Sequence, residues 1–241
     1  NNKNVSLFTP SQVTKWRVDT FYKKEPETLE WIDEFEKDKN ILFWDIGANI
    51  GLYSIYASVK NEKTKTIAFE PSTANLNILS RNISKNKLEN NINIFQLPLT
   101  EEDIKFNFMN EKTFDEGGAL NAFGVDYDYK GNKFIPETRY KILGVSINYI
   151  LKNNILEVPN YIKIDVDGIE HLILKGARDY LSDKKIKSIL LELDTSFSKK
   201  FEMVKKILEE SGFKLKDKKR AEEFYKSEKF KNTWNFIFHK I

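Results

Sequence analysis

Apolar residues gather into short, nearly continuous runs that end in acidic or turn residues: ILFWDIG (41–47), TIAFEP (66–71), INIFQL (92–97), YIKIDVDG (161–168) and SILLELD (188–194). Runs of this kind predict strands buried on both faces. Between them the apolar spacing takes a helical period, over 51–59, 73–85, 169–181 and 199–211. Gly212 follows the last of these segments in position for a left-handed cap, with Phe213 able to touch Leu208. Strand and helix therefore alternate, which predicts a doubly wound, mostly parallel α/β sheet of Rossmann-like type. WNFIFHK (234–240) adds a final strand, expected to be antiparallel and at or near an edge. Residues 1–40 read as a helical appendage, because KKEPETLEWIDEFEK carries Pro26 at a first helical position and an apolar stripe of Leu29, Trp31, Ile32 and Phe35. Residues 41–241 form the main domain. It is interrupted at about 100–145 by an insertion containing Gly117, Gly118, Gly124 and Gly131, long enough to predict a binding loop or lid.

Composition changes this picture little. The chain has 241 residues, 40% of them hydrophobic, and no cysteine, which removes disulfides and thiolate chemistry. No apolar run is long enough to span a membrane. The opening NNKNVSLFTP lacks the basic, apolar and small-residue parts of a secretory signal, so a cytoplasmic protein is expected. Net charge is only +3, and arginine stands only at Arg17, Arg81, Arg139, Arg178 and Arg220, which argues against a nucleic-acid partner. The basic run KDKKR (216–220) reads as a solvated loop or strand edge before it reads as a phosphate site.

Chemistry concentrates at the strand ends. In FWDIGANIGLYSIYA (43–57), Gly47 permits a sharp turn out of the first strand and Gly51 permits close packing of the following helix, whose N-terminus offers free N–H groups. Glu70, followed by Pro71, ends the second strand about 20 residues on, where a carboxylate accepts the hydroxyls of a ribose. Together these predict nucleoside binding. The G-A-N-I-G spacing lacks the middle glycine of dinucleotide enzymes, and Asp45 would repel a pyrophosphate. The same carboxylate suits a cofactor with an ammonium and a sulfonium, S-adenosylmethionine. A nicotinamide oxidoreductase and a nucleoside-binding module without catalysis remain the alternatives, and no (D/N)PP(Y/F) motif for nucleic-acid amino groups is present.

FWDIGANIGLYSIYA, AFEPSTANLNILSRNI and YIKIDVDGIEHLILKGA resemble the FkbM family of methyltransferases, the likeness covering Phe43 to about Asp194. The resemblance implies a class I methyltransferase fold and S-adenosylmethionine-dependent methylation of a hydroxyl, on a sugar or a similar small metabolite. A nucleotide-activated sugar for a surface polysaccharide is one such acceptor. It also implies that Asp45, Gly47, Ala48, Asn49 and Gly51 line the methionine part of the cofactor, with Glu70 and Pro71 at the ribose. Where the family often has an acid near GVSINYI, this chain has Asn148.

Deprotonating a hydroxyl calls for a base. Asp165 is the first candidate, since a carboxylate at an apolar strand end is costly without a partner. Asp167, Glu170 and His171 follow. Asp167 and Glu170 also fit a capping box, and His171 also fits plain packing. Asp165 with Glu192 and Asp194 is a further expectation, a magnesium or manganese site made of carboxylates. Asn121, Phe123 and Tyr127 of the insertion are expected to contact the acceptor. The appendage, with Trp16, Arg17 and Trp31, is expected either to cover the site or to meet a second copy, the protein being a monomer or homodimer.

Overall fold

The computed structural model describes residues 4–37, 39–221 and 231–241. Its central sheet contains Ile41–Ile46 (β1), Thr64–Phe69 (β2), Ile92–Phe95 (β3), Tyr161–Ile164 (β7), Ser188–Asp194 (β8), Phe213–Lys219 (β9) and Thr233–Lys240 (β10). The order is β3-β2-β1-β7-β8-β10-β9. β1, β2, β3, β7 and β8 pair in parallel, and β10 runs antiparallel to both of its neighbours. Chain order reverses between β1 and β7, the place where open parallel sheets bind ligands at their carboxyl ends. The antiparallel final strand is as expected, and it lies near the edge, one strand in. The edge itself is β9, FKLKDKK, whose lysines include most of the basic run. Lys216 and Lys219 pair there with Glu34 and Glu30 (2.9 and 3.2 Å).

Helices cover both faces. Leu52–Lys60 (α3) and Thr73–Lys85 (α4) share an apolar cluster with Ala68 of β2. The other face carries Ile147–Lys152 (α5), Glu170–Lys175 (α6), Arg178–Leu181 (α7) and Ser198–Glu210 (α8), packed on Trp44, Ile162 and Leu191. Side-chain alternation along β1 explains this: Trp44 and Ile46 face one layer, while Ile41 and Phe43 face the other. The expected helix over 169–181 is interrupted at Gly176, whose close approach to the Thr100 carbonyl leaves no room for a Cβ. Gly212 takes the left-handed cap (φ 84°) and donates to Glu209 O.

The N-terminal segment forms two helices, Gln12–Lys24 (α1) and Pro26–Asp33 (α2), with Pro26 opening the second. Trp31, Ile32 and Phe35 pack against Phe43, Tyr161, Leu190 and Ile237 of the sheet. Trp31 donates its indole N–H to Ser188 Oγ (2.9 Å). The insertion is more regular than a loop. Ile104–Glu111 (β4), Asn121–Phe123 (β5) and Thr138–Val145 (β6) make a small antiparallel sheet in the order β5-β4-β6. Among the described residues, no helix is long and apolar enough to cross a membrane.

Candidate functional site

The chain leaves β1 through Gly47 (φ 86°), where an added Cβ would fall 1.9 Å from the Asp165 carbonyl oxygen, so glycine alone fits between the ends of β1 and β7. The Gly47 and Ala48 N–H groups both donate to Phe69 O (3.0 and 2.9 Å), tying the turn to the end of β2. Gly51 repeats the constraint further on, since a Cβ there would meet Leu79 at 2.5 Å. Asn49, in the left-handed region, donates its N–H to Glu70 Oε2 (2.8 Å), and Ser72 N–H donates to Glu70 Oε1 (2.9 Å). Burial outweighs these bonds and pushes the Glu70 carboxyl up to about 7.

Two cavities flank this turn, and one more adjoins the first of them at Asp167. The first, about 580 Å³, has Gly47, Asn49, Glu70 and Pro71 on one wall. Leu97, Leu99, Met109, Asn121 and Phe123 line the next, and Asp165 and Asp167 close it. The second, about 350 Å³, lies beyond Asp167 and is lined by Tyr129, Glu170, Glu192, Asp194 and Lys200. The third, about 440 Å³, lies on the far side of the turn, between Ala48, Asn49 and Asp165 and the α1 residues Arg17 and Lys24.

Four acids expected at the site have distinct surroundings. Asp45 is fully buried under the turn and lines none of the three cavities. Ser54 Oγ donates to its Oδ2 (2.6 Å), its Oδ1 has no partner among the described residues, and burial raises its pKa despite the nearby Lys163 charge. Asp165 accepts from Lys163 Nζ (2.8 Å). Burial alone would raise its pKa, but the Lys163 and Lys24 ammonium groups hold it below the usual carboxylate range. Asp167 is raised to about 6 by burial and by the Asp165 charge, and Glu170 to about 7 by burial.

The expected capping box does not form. Asp167 takes a left-handed conformation (φ 58°) and turns its Oδ2 to the Leu120 N–H of the insertion (2.6 Å), while Glu170 Oε1 accepts from Gly168 N–H (2.8 Å). Ile169 stands at the N-cap without a side-chain bond. The metal expectation is also corrected: among the described residues no group of three His, Asp or Glu side chains converges as a metal site. Asp165 pairs with Lys163 (2.8 Å) and lines the first and third cavities, whereas Glu192 and Asp194 line the second, where Asp194 Oδ1 accepts from Ser196 N–H (2.8 Å). His171 lines none of the three cavities, and burial and Lys200 hold its pKa down to about 4, which leaves it a neutral packing residue. Tyr127 is half-buried beside Lys200 (5.0 Å) and also lies outside the cavities, whereas Tyr129 is in the second. Asn148, in place of the family's acid, accepts from Asp179 N–H (3.2 Å) and so ties α5 to α7.

Several residues of the site escaped the sequence reading. Lys163, 1% exposed, lies over the Tyr53 ring (4.7 Å) and supplies the Asp165 partner. A lysine inside the buried run YIKI was its signal, because such a cation requires an acid beside it. Asn75 holds the insertion: its Oδ1 accepts from Gly117 N–H (2.9 Å), and its amide, like that of Asn49, donates to Gly118 O (3.3 and 2.8 Å). Segment 116–121 thus straps the glycine turn, and Ser11 and Arg17 of the N-terminal segment bond to Glu116 O and Gly117 O.

A parallel sheet that reverses order at a glycine turn, with an acid after β2 and an antiparallel β10, defines a Rossmann-like fold of the nucleoside-binding kind. Residues 45–215 match the family model described as the methyltransferase FkbM domain, and the chain belongs to that family. It is 28% identical over 181 residues, 70% of each chain, to Methyltransferase 1 of Beauveria bassiana. It is 24% identical over 187 residues to the hexuronic acid methyltransferase AglP of Haloferax volcanii, covering 77% of this chain and 69% of that protein. In fold it is similar to the methyltransferase FkbM of Methylobacillus flagellatus KT, with TM-score 0.51, 16% identity, and coverage of 83% of this chain and 43% of that one.

Proposed function

We propose that the protein is an S-adenosylmethionine-dependent O-methyltransferase acting on a hydroxyl of a sugar. The observation that carries this reading is Asp167, which lines both the cavity beside Glu70 and the glycine turn and the second cavity beyond it. Among the described residues, Asp167 is therefore the one acid that lines both the nucleoside side and a separate pocket for an acceptor. Glu70 is suited to the ribose hydroxyls, and Pro71, Leu97 and Leu99 to the adenine. The cofactor supplies a methyl group on a sulfonium, open to in-line attack by an oxygen. Asp167 rather than Asp165 takes the acceptor's proton, because a carboxyl near 6 is a better base than one depressed by two lysines. Carboxylates around the second cavity are the usual partners of sugar hydroxyls, and the relative AglP carries a hexuronic acid in its name.

Isothermal titration with S-adenosylhomocysteine and with NADH tests the cofactor, and mass-detected transfer to hexuronic acids and neutral sugars tests the acceptor. Binding of S-adenosylhomocysteine alone, followed by a gain of one methyl on a sugar, supports the reading. Preference for NADH overturns it.

A further inference from the structure

Arg17 has no task in the reaction just described, yet its place is fixed. Its Nε donates to Gly117 O (2.5 Å), and Gly117 is itself held by Asn75. Using Nε for this bond leaves the two terminal nitrogens of the guanidinium, the edge whose fork fits a carboxylate. The side chain lines the third cavity across from Asn49 and Asp165.

The charges there do not balance. Lys24 is paired with Glu25 (2.6 Å) and Lys163 with Asp165 (2.8 Å), which leaves Arg17 as the surplus cation among the described residues that line the cavity. The N-terminus of α3, nine residues long and without a side-chain cap, opens onto the same space through Ile50 and Leu52 and adds its own preference for an anion. Gly47, Asn49 and Asp165 line the first and third cavities alike, so a ligand whose nucleoside lies against Glu70 continues past the turn toward Arg17. The second cavity shares no lining residue with the third, which separates Arg17 from the acceptor.

The geometry points to Arg17 as the receptor for the carboxylate of the cofactor's amino-acid tail, with Asp165 facing the ammonium of the same tail. This rests on the S-adenosylmethionine reading and adds to it a binding residue from outside the Rossmann-like core. It makes α1 a wall of the cofactor site.

The test compares S-adenosylhomocysteine with 5′-methylthioadenosine, which has the nucleoside but no amino-acid tail, by titration calorimetry on the wild type, Arg17→Met and Arg17→Lys. Arg17→Met is expected to weaken S-adenosylhomocysteine by about 10- to 100-fold, the range for a lost charge-assisted bond, while 5′-methylthioadenosine binds as before. Arg17→Lys is expected to recover part of the loss. Unchanged affinity for S-adenosylhomocysteine in Arg17→Met, or equal loss for both ligands, overturns the assignment while leaving the cofactor reading in place. A wild type that binds neither nucleoside overturns the cofactor reading, and the role of Arg17 falls with it.

Discussion

Asp167 carries an unusual combination for an aspartate: a left-handed backbone, one oxygen committed to Leu120 N–H, and a carboxyl raised to about 6. A base must be ionised to act, so turnover is expected to rise with pH through about 6 and then level off. Asp167→Asn keeps an oxygen for Leu120 and removes only the basicity. It is expected to lower kcat by about 100-fold or more and to erase that limb of the pH profile, with S-adenosylhomocysteine affinity little changed. Retention of wild-type turnover in steady-state assays would return the role of base to another acid. Gly47, Glu70 and Asp167 were all legible in the sequence, because turn, acid and strand end stand in chain order. Their settings were not. That Asp45 lies sealed under the turn, or that Asp165 is spoken for by a lysine two residues earlier, depends on the register of β1 against β7, which sets Asp45 opposite Lys163.

Among the elements, α2 does more than append to the fold. Trp31 is 2% exposed, sits edge-on to Phe35 and Phe43, and reaches Ser188 across the sheet. Trp31→Ala is expected to cost about 3–5 kcal/mol of stability, read as a lower urea midpoint, because the cavity it leaves is walled by sheet residues that cannot collapse into it. A loss below about 1 kcal/mol would mean that α2 only rests on the surface. Strands buried on both faces were legible as unbroken apolar runs, as in β1 and β8. Those with one wet face were not. IKFNFMNE and TRYKILGV, which become β4 and β6, alternate with period two, but they lie inside a segment whose glycines and length favour a loop reading. In β9 the polar positions are lysines and an aspartate on an exposed edge, the composition that also marks a solvated loop.

For the molecule as a whole, the raised acids leave a mark on stability. Glu70 and Glu170 are lifted to about 7 and Asp167 to about 6, all mainly by burial. A carboxyl whose folded pKa lies above its unfolded value stabilises the fold fully below the unfolded pKa, and that contribution is lost as pH rises through the folded one. The melting temperature of the ligand-free protein is therefore expected to fall between about pH 4.5 and about pH 7 and to level off above that. Asp165 and Glu25, whose pKa values are lowered, titrate below this window and do not oppose the trend. His171, lowered from 6.5 to about 4, opposes the trend between those two values, where only the unfolded chain holds the proton, and so offsets one of the three carboxyls there. A melting temperature that rises steadily across the range in calorimetry would show that these acids are not buried as described.

The position of β10 has a consequence for the order of events during synthesis. It follows β9 along the chain but is inserted between β8 and β9, pairing with both. A nascent chain that has emerged only as far as Lys219 holds β8 with a bare edge of unpaired backbone groups, and β9 without any neighbour. Its Glu27 also still waits for Asn235, the residue of β10 that donates to it (2.8 Å). Until β10 arrives the half-built sheet is open to any other strand that meets it, so the ribosome, by its pace, sets how long the newborn protein stays vulnerable to misassembly.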